Sequence, residues 1–262
     1  MNWVTHFLKS SIGRKFLMAL TGLFLCTFLV VHLIGNLQLL KSDGGLAFNA
    51  YAVFMTSNPL IKTISYGLYA IILFHAFWGL YLVSQNKKAR PQAYAVVDGS
   101  ANSKWTSRWM GVLGTIILAF IVMHMSSFWA EYHFSEMPYV QYEQDLVTGD
   151  LVWNQVDPIE TKMEQYVSTT SGSNPIQMTT LKNLYWEVQE AFQVWWIVLL
   201  YVLAMAAIAF HLVHGFSSAF QTLGINHSKY NGLIRFIGVG VFGIIIPILF
   251  ALIPVYFFMS SL

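Results

Sequence analysis

The chain has 262 residues, 56% hydrophobic and only 10% charged, with a mean hydropathy of +0.56. A soluble domain carries roughly 25% charged residues, so the composition excludes one, and a net charge of +2 gives no electrostatic basis for a nucleic-acid partner. The single cysteine, Cys26, excludes a disulfide framework, and no C-x-x-C-H is present for covalent haem attachment.

Lys9, Arg14 and Lys15 precede the first apolar run, as in a signal peptide. The run continues to Leu40 with no A-x-A-like cleavage pattern, which predicts a retained helix. Five spans follow from length and apolarity: Phe16–Leu40, Leu60–Val83, Trp109–Trp129, Phe192–Phe220 and Leu233–Phe258. Each reaches the ~20 residues a bilayer helix needs. The last contains Pro247 and Pro254, tolerated where neighbours satisfy the freed carbonyls. Lys41–Pro59 holds the turn Asp43-Gly44-Gly45 and then Phe48–Met55, expected as a short interfacial helix. Residues 130–191 form a long polar, acidic connection, expected on the outer side. Its apolar pieces Met137–Val140 and Leu151–Trp153 suit a cap, and Ser168–Asn174 reads as a flexible stretch. The expected fold is an all-α membrane protein of one domain, a bundle of five transmembrane helices.

The distribution of Lys and Arg sets the expected orientation. With the N-terminus in the cytoplasm, Lys9, Arg14, Lys15, Lys87, Lys88, Arg90, Lys104, Arg108, Lys229 and Arg235 all face inward. Lys41, Lys62, Lys162 and Lys182 fall outside, as does the C-terminus. Trp105, Trp109, Trp129, Trp186, Trp195 and Trp196 lie near span ends, as an interfacial belt should.

Of eight histidines, His6, His133 and His227 fall in loops or termini and read as surface residues. His32, His75, His124, His211 and His214 lie within spans. Intramembrane ionisable side chains are costly and are functional candidates by default. At 1.5 Å rise per residue, His32 and His124 sit roughly 6–7 Å to the outer side of the midplane. His75 and His211 sit roughly 3–7 Å to the inner side, and His214 about 12 Å, near the inner interface. Two layers of paired imidazoles suit bis-histidine haem, which needs neutral imidazole on both axial faces and apolar walls. Gly35, Gly79 and Gly215 stand near the ligands, where they leave room for a cofactor or serve helix packing. The spans hold no Asp or Glu, which argues against a proton relay or an ion-coupled transporter.

Several pieces resemble one family: Phe28–Asn36, Ala47-Phe48-Asn49, Phe74–Tyr81, Val122-Met123-His124, and Phe210–Gly215 running into Thr222-Leu223-Gly224. In this order they resemble the five-helix, di-haem cytochrome b membrane-anchor subunit of succinate dehydrogenase and fumarate reductase, over nearly the whole chain. The resemblance implies two haem b groups, the inner held by His75 and His211 and the outer by His32 and His124. It implies a flavoprotein subunit carrying FAD and the dicarboxylate site, and an iron–sulfur subunit on the cytoplasmic face. It further implies electron transfer to a membrane quinone, menaquinone foremost, within a bacterial cytoplasmic membrane. The anchor would then be a subunit of the enzyme that does not itself bind dicarboxylate. The rival within this chemistry is a di-haem anchor of a hydrogenase or formate dehydrogenase; outside it, a transporter or structural membrane protein. Some relatives carry a second-span carboxylate for quinol chemistry, and Leu60–Asn86 has none. Ser10, Ser11, Arg14, Lys15, Arg108, Trp109 and His214 stand at the right height for haem propionates or the pocket edge. A plain interfacial anchor explains most of them equally.

Overall fold

The computed structural model describes residues 2–89, 101, 103–169 and 173–262. Arg90 and Asp98 of the basic loop, and part of Ser168–Asn174, lie outside the described residues. The chain is mostly helical. Five helices are long and apolar enough to cross a membrane: Ser11–Leu40, Pro59–Lys88, Met110–Phe134, Trp195–Thr222 and Ser228–Ser260. They are the first to fifth spans below.

Local chemistry sets their ends. Ser10 Oγ accepts the Gly13 N–H at 3.0 Å and caps the first span. Asn58 Oδ1 accepts from Leu60 N at 3.0 Å and Ile61 N at 3.3 Å, with Pro59 at the first helical position of the second span. Gly224, at φ +77°, closes the fourth span. There Ile225 N–H reaches back to the Phe220 carbonyl at 3.0 Å, a Schellman-type stop that only glycine makes cheaply. The fifth span starts earlier than its apolarity predicts, because the polar helix Ser228–Arg235, capped by His227 Nδ1 on Lys229 N, runs into it without a break. Two stretches are wide π-helix, Met125–Ala130 directly after His124 and Phe236–Ile245 just before Pro247. The second is where a proline removes an N–H donor from the ladder.

The chain divides into two compact units. One comprises Met1–His32, Ser65–Ile121 and Leu199–Leu252, the other Leu33–Ile64, Val122–Val198 and Ile253–Leu262. Among the described residues the first unit has helices and no strand, and it packs by small residues. A Cβ on Gly111 or Gly238 would come within 2.9 Å of Val83 or Phe216, and one on Gly243 would collide with Val213. Such residues let helix backbones approach in a membrane, where packing rather than hydrophobic burial drives association.

The second unit corrects the all-α expectation. Within the long polar connection, β1 (Tyr139–Asp145), β2 (Leu151–Val156), β3 (Met163–Ser168) and β4 (Ile176–Lys182) form an antiparallel sheet in the order β2-β1-β4-β3. Val140 pairs with Leu181 and Tyr142 with Thr179, so the buried face belongs to the two central strands. Val140, Tyr142 and Leu181 pack on Val53 of the helix Leu46–Ser57, the short helix expected after the Asp43 turn. That turn is built by Asp43, whose carboxylate accepts Gly45 N and Ala47 N, each at 3.0 Å. Asn49, fully buried, joins the parts. Its amide donates to Tyr142 Oη at 3.1 Å and Asn183 Oδ1 at 3.0 Å, and its oxygen accepts Tyr185 N at 2.9 Å. The four strands are therefore a folded cap on the Leu46–Ser57 helix, which the apolar pieces allowed, rather than a linker.

Candidate functional site

The second and fourth spans bring His75 and His211 together inside the first unit. Their ring centroids lie 6.4 Å apart with the planes at 69°. Thr21, on the first span, sits 2.9 Å from His75 Nδ1 through its hydroxyl, and that hydroxyl is 2.8 Å from the Leu17 carbonyl. A hydroxyl has one proton. Donated to Leu17, as threonines in apolar helices do, it leaves an oxygen lone pair for an Nδ1–H of His75. With the hydroxyl proton so placed, His75 would carry its own proton on Nδ1 and a free lone pair on Nε2, the form a metal needs.

His211 is different. Its Nδ1 is buried with no hydrogen-bond partner among the described residues. Buried polar atoms are nearly always paired, and each exception calls for an explanation. Two imidazoles holding one metal ion from opposite sides, with metal–nitrogen bonds of about 2.0 Å, place their ring centroids roughly 6 Å apart. The observed separation meets that requirement.

Glycines border both rings. A Cβ on Gly22 would lie 3.3 Å from His75 Cε1, and one on Gly114 would lie 3.7 Å from His211 Cε1. These differ from the glycines singled out by spacing. Gly79 faces Met18 and Gly215 faces Met110 at ordinary contact distance, while a side chain on Gly35 would collide with Tyr51. Gly22 and Gly114 come from helices neighbouring each histidine's own, which spacing along one helix does not reveal. Thr21, Gly22 and Gly114 were all missed this way. Two imidazoles at this separation, one with a hydroxyl beside its Nδ1 and both with small residues at the ring edge, are residues that would fit a haem.

The remaining candidates separate. His214 lies one turn beyond His211, half-buried, with the Lys104 ammonium within electrostatic reach. Arg14 Nε and Nη2 donate to the Lys9 carbonyl at 3.1 and 2.9 Å, and its own carbonyl accepts Trp78 Nε1 at 3.3 Å, so it ties the start of the first span to the second. Ser10 is a helix cap, Ser11 and Lys15 are exposed, and Arg108 donates to the Ser103 carbonyl at 2.6 Å. Trp109 stacks on Trp105 at 6.1 Å, and Trp105 meets Phe210 edge-on at 5.4 Å, next to His211. His6, His133 and His227 are exposed, as expected.

His32 belongs to the first unit, stacked on Phe28 at 5.2 Å and 5.4 Å from Phe250. His124 belongs to the second, 5.4 Å from Phe128, at the point where the third span widens into π-helix. Wide turns of this kind recur at functional sites. The pairing of these two histidines remains an expectation from depth. No family model, no curated protein and no solved structure matches the chain.

Proposed function

We propose that this chain is the di-haem cytochrome b membrane anchor of a succinate:quinone oxidoreductase, with its N-terminus in the cytoplasm of a bacterial cell. The observation that carries the haem assignment is the His75–His211 pair, 6.4 Å apart with Thr21 orienting one ring and His211 Nδ1 unpartnered. His75 and His211 hold the inner haem, and His32 and His124 the outer one. The sequence resemblance supports the partners: a flavoprotein with FAD, an iron–sulfur subunit on the cytoplasmic face, and a membrane quinone such as menaquinone.

A haem bound between two imidazoles supplies a one-electron carrier whose potential follows from its ligands and their hydrogen bonds. The chain's own residues do the rest. Thr21 holds the His75 ring and its proton on Nδ1. Gly22 and Gly114 keep the ring edges open, and the apolar walls exclude water. His214 and Lys104 supply donors toward the cytoplasmic edge, where propionates emerge.

The purified chain, expressed with haem supply, is expected to show a reduced b-type spectrum at two haems per polypeptide. Substituting His75 or His211 removes one haem, and substituting His32 or His124 removes the other. A folded, active complex without colour would sink the assignment. Co-purification with a metal-cofactor subunit instead of a flavoprotein would move the chain to a hydrogenase or formate dehydrogenase.

A further inference from the structure

Two lysines that fall outside the basic cytoplasmic set meet at Tyr132 within the second unit, and a third lies within electrostatic reach of one of them. Lys182 Nζ donates to the Tyr132 carbonyl at 2.6 Å and lies 4.9 Å from the centroid of the Tyr132 ring. Lys162 Nζ lies 5.2 Å from the same centroid. The two are cross-strand neighbours beside β3 and β4, joined by the backbone bond from Lys182 N to Lys162 O at 3.2 Å. The third is Lys62, in the first turn of the second span, whose charge bears directly on Lys162.

Like charges directly opposite in a sheet are destabilising. Burial and the charges of Lys62 and Lys182 together push the Lys162 ammonium down, and burial does the same for Lys182. Glu160 and Glu164 flank Lys162 in sequence, yet the charges acting on Lys162 are both positive. The Tyr132 ring and carbonyl offset part of this repulsion, and neither carries a full negative charge. Among the described residues, no negative charge acts on Lys162 or Lys182. The position of the cluster says where one would come from. Tyr132 lies in the last turn of the third span and Lys62 in the first turn of the second, so the ammonium groups stand at the ends of helices long and apolar enough to cross a membrane, where headgroups are expected.

We propose that Lys62, Lys162 and Lys182 bind the phosphate of an anionic phospholipid headgroup, with Tyr132 fixing two of the three ammonium groups in place. The phosphate oxygens accept from the ammonium groups, and the acyl chains lie along the apolar second and third spans. The site is independent of haem and of the partner subunits.

The test uses the full-length protein in mixed micelles, with bound lipid read by native mass spectrometry and by titration with fluorescent phosphatidylglycerol. Phosphatidylglycerol is expected to be retained over phosphatidylcholine. Lys62→Gln, Lys162→Gln and Lys182→Gln should each weaken it roughly fivefold, as for about one interfacial cation lost. Lys162→Arg should bind as the parent does. Lys182→Gln also loses the bond to the Tyr132 carbonyl, so Lys62→Gln, which loses no contact of the fold, carries the result if that variant misfolds. Lys41→Gln, the remaining lysine of this group, should have no effect. Equal loss from Lys41→Gln and Lys62→Gln, or equal binding of phosphatidylcholine, overturns the proposal. Displacement of the lipid by inorganic phosphate at matching concentration assigns the cluster to a soluble anion and overturns it also.

Discussion

Two side chains with buried nitrogen atoms, one in each unit, are treated in opposite ways. Asn49 in the second unit uses both amide protons and its oxygen, on Tyr142, Asn183 and Tyr185. His211 in the first unit keeps a buried ring nitrogen without a hydrogen-bond partner among the described residues. Both are costs the chain could avoid with an apolar residue. A fully satisfied network rigidifies and specifies a fold, whereas an unsatisfied buried nitrogen only costs. Asn49 thus serves the fold, while on the proposed reading His211 is kept for the haem.

The largest expected effect tests that reading at His211. His211→Leu should lower haem from two per chain to one, as read by the pyridine haemochrome absorbance. Without haem, the same variant should melt no lower than the parent, because leucine removes an unpaired polar atom from an apolar site. A large loss of stability in the haem-free variant would show that His211 is part of the fold and would dissolve the contrast. Asn49→Leu should behave in the reverse manner. It leaves Tyr185 N and the Tyr142 and Asn183 oxygens short of a partner, and it should cost about 2–4 kcal/mol. Hydrogen exchange should quicken in β1 and β4, with both haems retained.

Thr21 sharpens the comparison from the other side of the histidine pair. Thr21→Val keeps the shape and removes the hydroxyl that orients His75. Loss of such an outer partner typically costs 10–100-fold in metal affinity. Haem transfer to apomyoglobin should speed accordingly, with the spectrum still bis-histidine. Thr21→Ser should restore the parent rate. An unchanged rate in Thr21→Val would mean that packing alone fixes the ring.

The two units also differ in how far they could be read from residues. The spans were legible because an apolar run has one solution in a bilayer. The histidines were legible because an ionisable group there is expensive. Thr21 was not, since a threonine in an apolar helix usually bonds its own turn, and Thr21 does so to Leu17 as well as meeting His75 across 54 residues. The sheet was hidden for another reason. β3 is exposed at every position and β2 at most, so neither shows the alternation of a half-buried strand. Its pairing of β1 with β4 joins residues far apart in the chain. Local signals existed at Thr148-Gly149-Asp150, where Gly149 has φ +79° and Asp145 accepts the Val147 and Thr148 amides, an Asx-type turn between β1 and β2. The π-helical stretches left no trace that composition could reveal, apart from the proline that follows one of them.

The smallest effect concerns the turn that carries Asn49 into place. Gly44 has φ +62°, and a Cβ there would press on the indole of Trp153 in β2. Its carbonyl also accepts the Tyr142 hydroxyl at 3.0 Å, so the turn and the sheet share one bond of the Asn49 network. Gly44→Ala should cost about 1–2 kcal/mol, from the left-handed backbone together with displacement of Trp153. Because Trp153 is half exposed at 47%, the ring can move outward, which keeps the penalty below that of Asn49→Leu. Trp153 fluorescence should shift to the red while both haems and the His75 environment stay as in the parent. Loss of haem from this variant would mean that the second unit's polar network supports the histidine site, and the division of labour between the two units would then fail.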